Sequence, residues 1–224
     1  MGNTLRNCVL RSADVKHQAI REQLFETVVK VNEVDLIRLS AGNISIRAGE
    51  NLAAITPSGV KYCQMKVEDI SIVDLDGHLI DGLTPSSETP MHTAIYRNLP
   101  DVGGICHTHS SYAITFAMLG EEIPPANLEL FACGAPIPVA LWACPGTQKV
   151  GEVTVEIFRS RPDLKVVLLN KHGLVAIGRD LHHAYEMAFN AEVGLRSYHQ
   201  ALLVGKPQPL TDSQLEEIKA AYRK

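Results

Sequence analysis

The most constraining feature of this chain is a change of rhythm along its length. Between residues 42 and 83 the apolar residues come in short runs: Ile44-Ser45-Ile46, Leu52-Ala53-Ala54-Ile55, Ile70-Ser71-Ile72-Val73 and His78-Leu79-Ile80. Ala48-Gly49, Pro57-Ser58-Gly59 and Asp76-Gly77 punctuate them as turn signals, so a meander of short strands is expected. On the N-terminal side, residues 15–38 carry Ile20, Leu24, Val28 and Val31, the stripe of an amphipathic helix that leads into a glycine turn. Downstream the two rhythms alternate. Thr89 followed by Pro90 predicts a helix start with Thr89 as the cap, and the helix should stop near Asn98-Leu99-Pro100. Gly103 to His109 predicts a strand, Ser110 to Leu119 a helix ended by Gly120, and residues 147–160 another helix. Lys165 to Asn170 and Leu174 to Ile177 read as buried strands, and Asp180 is placed to cap a long helix to about Leu203.

Interleaved elements of this kind specify an α/β protein without segregated domains. The first linker-like text is Gly205-Lys206-Pro207-Gln208-Pro209, so residues 1–205 are expected to form one domain. Residues 206–224 are expected to be its C-terminal helix or a mobile tail, with a helix possible over Thr211 to Lys224.

Composition excludes several functions. Across 224 residues, 21 Lys and Arg against 25 Asp and Glu give a formal charge of −4. There is no basic block, so neither a nucleic-acid backbone nor an anionic membrane is an expected partner. No stretch approaches the roughly 20 uncharged apolar residues of a membrane span. The N-terminus lacks the apolar run of a signal peptide, and Arg6 stands where an N-myristoylation motif wants Ser or Thr. Cys8, Cys63, Cys106, Cys133 and Cys144 form an odd set without a CxxC pair, which fits reduced thiols and a cytoplasmic protein.

The sharpest chemical signal is His107-Thr108-His109 in the predicted strand from Gly103. Side chains alternate along a strand, so the two imidazoles share a face about 6.5–7 Å apart, within reach of one cation. The pair taken alone fits better a half-buried couple satisfied by backbone carbonyls. Cys106 falls on the other face and is expected to serve packing. A third histidine, His172 in Asn170-Lys171-His172-Gly173, ends an apolar strand beside a glycine, where a rigid scaffold presents functional groups. Glu88, in Pro85-Ser86-Ser87-Glu88-Thr89-Pro90, is expected to be exposed ahead of a helix. Three imidazoles and a carboxylate would suit Zn²⁺.

Taken in order, Ala41-Gly42-Asn43-Ile44-Ser45, Thr56-Pro57-Ser58-Gly59, Pro85-Ser86-Ser87-Glu88, His107-Thr108-His109-Ser110 and Asn170-Lys171-His172-Gly173 resemble the class II aldolase/adducin-like family over about residues 20 to 200. The resemblance implies a three-layer α/β/α fold around a largely antiparallel sheet, and a homotetramer with active sites at subunit boundaries. It implies one zinc ion per subunit on His107, His109 and His172. Glu88 would be the catalytic acid/base and a fourth ligand at rest. Gly42, Asn43, Ser58, Gly59, Ser86 and Ser87 would line a phosphate pocket. Elementary chemistry agrees with that pocket, since side-chain-free turns let backbone N–H groups approach an anion and the paired serines add hydroxyl donors.

The activity so implied is cleavage of a phosphorylated ketose of the fuculose-1-phosphate type to dihydroxyacetone phosphate and an aldehyde. The alternatives are an L-ribulose-5-phosphate 4-epimerase type of reaction and a non-catalytic adducin-like oligomerisation module. Residues 123–139 lack the epimerase's His-Ala-Asp-Tyr stretch, and Glu88 stands where that enzyme typically has Asp, which favours the aldolase. The fuculose enzyme's tyrosine meets Leu128 or Glu129 in this chain, leaving the second proton donor open between that region and Tyr222. His92 is expected to be a solvated or packed histidine, and His182-His183 merely to begin a helix.

Overall fold

The computed structural model describes residues 2–222, with side chains from residue 17 onward, so Cys8 and the N-terminal motif lie outside the described side chains. The chain begins with α1 (Gly2–Glu33) and enters the meander β1 (Asn43–Arg47), β2 (Leu52–Ile55), β3 (Ser71–Asp74) and β4 (Leu79–Asp81). Next come α2 (Thr89–Asn98), β5 (Gly104–Thr108), α3 (Ser111–Leu119), α4 (Leu128–Ala132) and β6 (Val139–Ala140). The remaining elements are α5 (Gln148–Ser160), β7 (Val166–Leu169), β8 (Gly173–Gly178), α6 (Leu181–Val204) and α7 (Asp212–Tyr222).

All eight strands join one sheet in the order β4-β3-β2-β1-β5-β8-β7-β6. Every pairing is antiparallel except that of β6 with β7. Alternation along the strands sorts the apolar residues onto two faces. Ile44, Cys106, Leu168 and Leu174 pack with Leu24 and Val28 of α1, Phe116 of α3 and Leu195 of α6. Ile55, Ile105, Val167 and Val175 pack on the opposite face with Met91 and Ile95 of α2 and Val150 and Phe158 of α5. The result is the α/β/α sandwich expected from the sequence, with both faces of the sheet covered.

Several local expectations need correction. The first helix stops at Glu33 rather than near residue 38, and Asp35 and Leu39 take left-handed backbone conformations with φ of 62° and 56°. Thr89 is not a cap: the helix is flanked by Glu88, Pro90 is second in the helix, and the Thr89 hydroxyl donates back to Ser86 O at 2.6 Å. Asp180, by contrast, caps α6 as expected, its Oδ1 accepting from His183 N–H at 2.7 Å. The C-terminal segment is helical over α7. Cys63, Cys106, Cys133 and Cys144 are free thiols, and burial pushes that of Cys106 up to about 12. Among the described residues no helix is long and apolar enough to cross a membrane.

Candidate active site

Three histidines meet at one end of β5 and β8. His107 lies on β5, fully buried, opposite Asn43 on one side and Val175 on the other. His109 sits one residue past the strand, where the backbone turns into α3, and is half-buried. His172 belongs to the tight connection between β7 and β8, closed by its own N–H donating to Leu169 O at 2.9 Å. Lys171 adopts a left-handed φ of 56° there, and the following Gly173 admits no side chain. A Cβ on Gly173 would stand 2.2 Å from Thr108 O and 3.3 Å from His109 Cδ2. Gly173→Ala is therefore expected to cost about 2 kcal/mol of stability and to part His172 from His109. Thermal melts and zinc titration check this, and parent-like affinity for zinc would contradict it.

The three rings stand edge to face with centroids 4.8–4.9 Å apart. His107 Nδ1 lies 2.8 Å from Leu174 O, so it carries the proton it donates there, and Nε2 presents a lone pair to the cluster. His109 Nε2 lies 3.0 Å from that atom, Glu88 Oε2 lies 2.9 Å from it, and Glu88 Oε1 lies 3.4 Å from His172 Nε2. Glu88 Oε2 is buried without a hydrogen-bond donor. Lone pairs and a carboxylate facing one another in a buried space repel unless a positive charge lies among them. The orphaned oxygen and the committed His107 proton thus fit a metal cation, and the His₃-carboxylate donor set suits a divalent ion.

The local electrostatics keep these groups in their ligating forms. Burial lowers His109 to about 3 and His172 to about 4, so both rings are neutral near pH 7.

A cavity of about 280 Å³ opens beside the cluster, lined by Glu88, His109 and His172 together with Gly42, Asn43, Ser58, Gly59, Ser86 and Ser87. Its two glycine turns differ in their reason for glycine. Gly59 has φ of 72° with open space where a Cβ would be. Gly42 has φ of 82°, and a Cβ there would stand 2.7 Å from His107 O and 2.9 Å from Ile37 Cγ2. Gly42→Ala should cost at least about 2 kcal/mol, because strained backbone and overlap with the His107 carbonyl add. Chemical denaturation measures that loss, and a change below about 0.5 kcal/mol would contradict it.

All ten residues singled out from the sequence therefore meet in one place. One expectation fails: Glu88 is buried, with only 6% of its surface exposed. The segment that carries it is stitched to the post-β2 turn by Ser86 N–H to Thr56 O at 3.1 Å and Ser58 N–H to Thr84 O at 2.9 Å, which turns the carboxylate inward. Pro145 also lines the cavity and was not legible beforehand, since nothing local links the loop after β6 to it. Leu128 and Glu129 lie on α4, with Leu128 52% exposed, and Tyr222 on α7 is 78% exposed.

Comparison with known proteins agrees with this geometry. Residues 22–199 match the model of the class II aldolase and adducin N-terminal domain. The chain belongs to the class II aldolase and adducin family. The 5-deoxy-D-ribulose 1-phosphate aldolase of Bacillus thuringiensis serovar kurstaki is 34% identical over 207 residues, covering 92% of this chain and 96% of that protein. A solved L-fuculose 1-phosphate aldolase superposes with a TM-score of 0.84 at 29% identity, covering 92% of this chain and 97% of that one. An L-ribulose-5-phosphate 4-epimerase of Salmonella paratyphi B is 33% identical but covers only 76% of this chain and 80% of its own length. Class II aldolases are metal-dependent carbon–carbon lyases that use a divalent ion, and the His107, His109 and His172 cluster offers a site for one.

Proposed function

We propose that this class II aldolase is a zinc enzyme that cleaves a phosphorylated ketose to dihydroxyacetone phosphate and an aldehyde. The observation that carries the proposal is the sharing of one cavity by the imidazole–carboxylate cluster and the ring of turn amides and hydroxyls. His107, His109 and His172 hold the metal, with Glu88 as a fourth ligand when no substrate is present. Gly42, Asn43, Ser58, Gly59, Ser86 and Ser87 receive the phosphate. When bound, the divalent ion supplies Lewis-acid chemistry, polarising the ketose carbonyl and stabilising enediolate charge as the carbon–carbon bond breaks.

The chain's own groups do the rest. Backbone N–H groups at Gly42 and Gly59 and the Ser86 and Ser87 hydroxyls fix the phosphate and thereby the ketose. Glu88 is the proton carrier: in cleavage the C4 hydroxyl loses its proton as the bond to C3 breaks and the protonated Glu88 gives one to the enediolate carbon, and in condensation Glu88 takes that carbon-bound proton back. Its carboxylate stands beside both His107 and His172, within reach of a ketose spanning cluster and phosphate pocket.

The full-length relatives named above are aldolases, and the epimerase matches less of the chain, so the epimerase reading is not favoured. An adducin-like silent module is disfavoured by the intact cluster. The domain is taken as residues 1–205 with 206–224 as its appendage, working as a cytoplasmic homotetramer with active sites at subunit boundaries. Exposed Leu141 and Trp142, on the loop that brings Pro145 to the cavity, are suited to burial against a neighbouring subunit.

A panel of ketose 1- and 5-phosphates, including 5-deoxyribulose 1-phosphate and fuculose 1-phosphate, tests the reaction with dihydroxyacetone phosphate as the readout. Release of triose phosphate from a 1-phosphate is expected. Inversion of a 5-phosphate without triose phosphate would overturn the aldolase assignment.

A further inference from the structure

His92, which the sequence predicts to be a solvated or packed histidine, is packed, and it is the centre of a buried polar chain. It lies on α2, 1% exposed, between two residues of β1 whose side chains share a face. Its Nε2 is 2.6 Å from Asn43 Oδ1, and its Nδ1 is 2.6 Å from Ser45 Oγ, which lies 2.9 Å from the Tyr96 hydroxyl. Ser45 and Tyr96 are themselves buried, at 0% and 1% exposure.

The donors and acceptors allow one consistent assignment. An oxygen at Asn43 Oδ1 requires the proton of a neutral imidazole to sit on Nε2, which leaves Nδ1 as a lone pair. Ser45 must then donate to Nδ1, and its oxygen accepts from the Tyr96 O–H. The direction runs from Tyr96 through Ser45 and His92 to Asn43. Burial supports the neutral ring, lowering His92 to about 3.

The consequence falls on Asn43. Its carbonyl oxygen is held by His92, so the amide cannot flip without placing an NH₂ against an N–H in a buried space. Its NH₂ is left as the free end of a residue that lines the cavity. We propose that His92 is a positioning residue, which with Ser45 and Tyr96 locks the Asn43 amide with its NH₂ toward the phosphate pocket. This rests on the phosphate pocket proposed above. His92 touches neither substrate nor metal and acts through Asn43.

The test measures dihydroxyacetone phosphate binding to the zinc-loaded protein by calorimetry, with zinc content determined for each variant. Asn43→Ala is expected to weaken binding about tenfold, the size of one hydrogen bond to a charged group. His92→Phe keeps the ring volume, removes both polar contacts, and should weaken binding by a similar factor without loss of zinc. The Asn43→Ala/His92→Phe double variant should bind within about twofold of Asn43→Ala alone, because the lock has nothing left to hold. His92→Gln, which restores an N–H donor, should recover part of the affinity. Tyr96→Phe should weaken binding two- to threefold in the parent and leave Asn43→Ala unchanged, and it carries the test if His92→Phe does not fold.

Additive losses in the double variant, or parent-like binding by folded His92→Phe, would overturn the role of His92. Equal losses from Tyr96→Phe with and without Asn43 would do the same. Parent-like binding by Asn43→Ala would instead overturn the phosphate pocket itself.

Discussion

The Glu88→Gln protein is expected to keep its divalent ion and to lose on the order of 10²-fold or more in kcat. Glutamine preserves the shape of the side chain and an oxygen to face the cluster, so the space among His107, His109 and His172 stays filled. An amide, however, neither takes nor returns a proton at neutral pH. The loss should therefore fall on kcat, while the affinity for dihydroxyacetone phosphate changes little. A second readout isolates the proton step: exchange of the carbon-bound hydrogen of dihydroxyacetone phosphate with deuterated water should disappear along with turnover. Turnover within about tenfold of the parent would remove Glu88 from the proton-carrying role, since general acid–base groups contribute at least that much.

Loss of the metal should have the larger effect. His109→Ala is expected to yield a folded protein without stoichiometric zinc, with activity lower by on the order of 10³-fold, the scale of several kcal/mol of charge stabilisation. His109 suits the test because it is half-buried and its ring has no backbone partner among the described hydrogen bonds. His107→Ala should lose the ion equally but also stability. Its ring is fully buried and its Nδ1–H satisfies Leu174 O at the end of the β5–β8 pairing. Stranding that carbonyl costs about 1–3 kcal/mol, or several degrees in Tm. Equal melting of the two variants would show that His107 carries no structural load. Retention of zinc and activity by His109→Ala would show that the two imidazoles do not share a cation. A chelator should mimic His109→Ala in the parent, with activity returning on addition of zinc.

The elements legible in the sequence were those whose patterns are local. The alternation in Ile44-Ser45-Ile46 and Ile70-Ser71-Ile72-Val73 and the Asp180 cap each declare themselves within a few residues. β6, by contrast, has two residues and exists because Val139 and Ala140 pair in parallel with Leu168 and Leu169, far along the chain. α4 has five residues, and its signal was Asn127, whose side chain accepts from Leu130 N–H at 2.9 Å.

The same division runs through the site. The histidines and glycine turns were visible as short motifs, but the inward turn of Glu88 depends on bonds from Ser86 and Ser58 to another loop. The setting of His92 was half visible, because Asn43 and Ser45 place two polar groups at a strand's two-residue period. That α2 would lay an imidazole between them depends on how the helix packs against the sheet, which no local pattern encodes.

Elemental analysis after exhaustive dialysis, on the parent and on His172→Ala side by side, tests the proposed shared cation most directly, because His172 comes from a turn more than sixty residues away from the other two histidines. One divalent ion per chain in the parent and none in His172→Ala is the expected result. A parent that takes up no stoichiometric ion when zinc is supplied, or a His172→Ala variant that retains one as tightly, would contradict it.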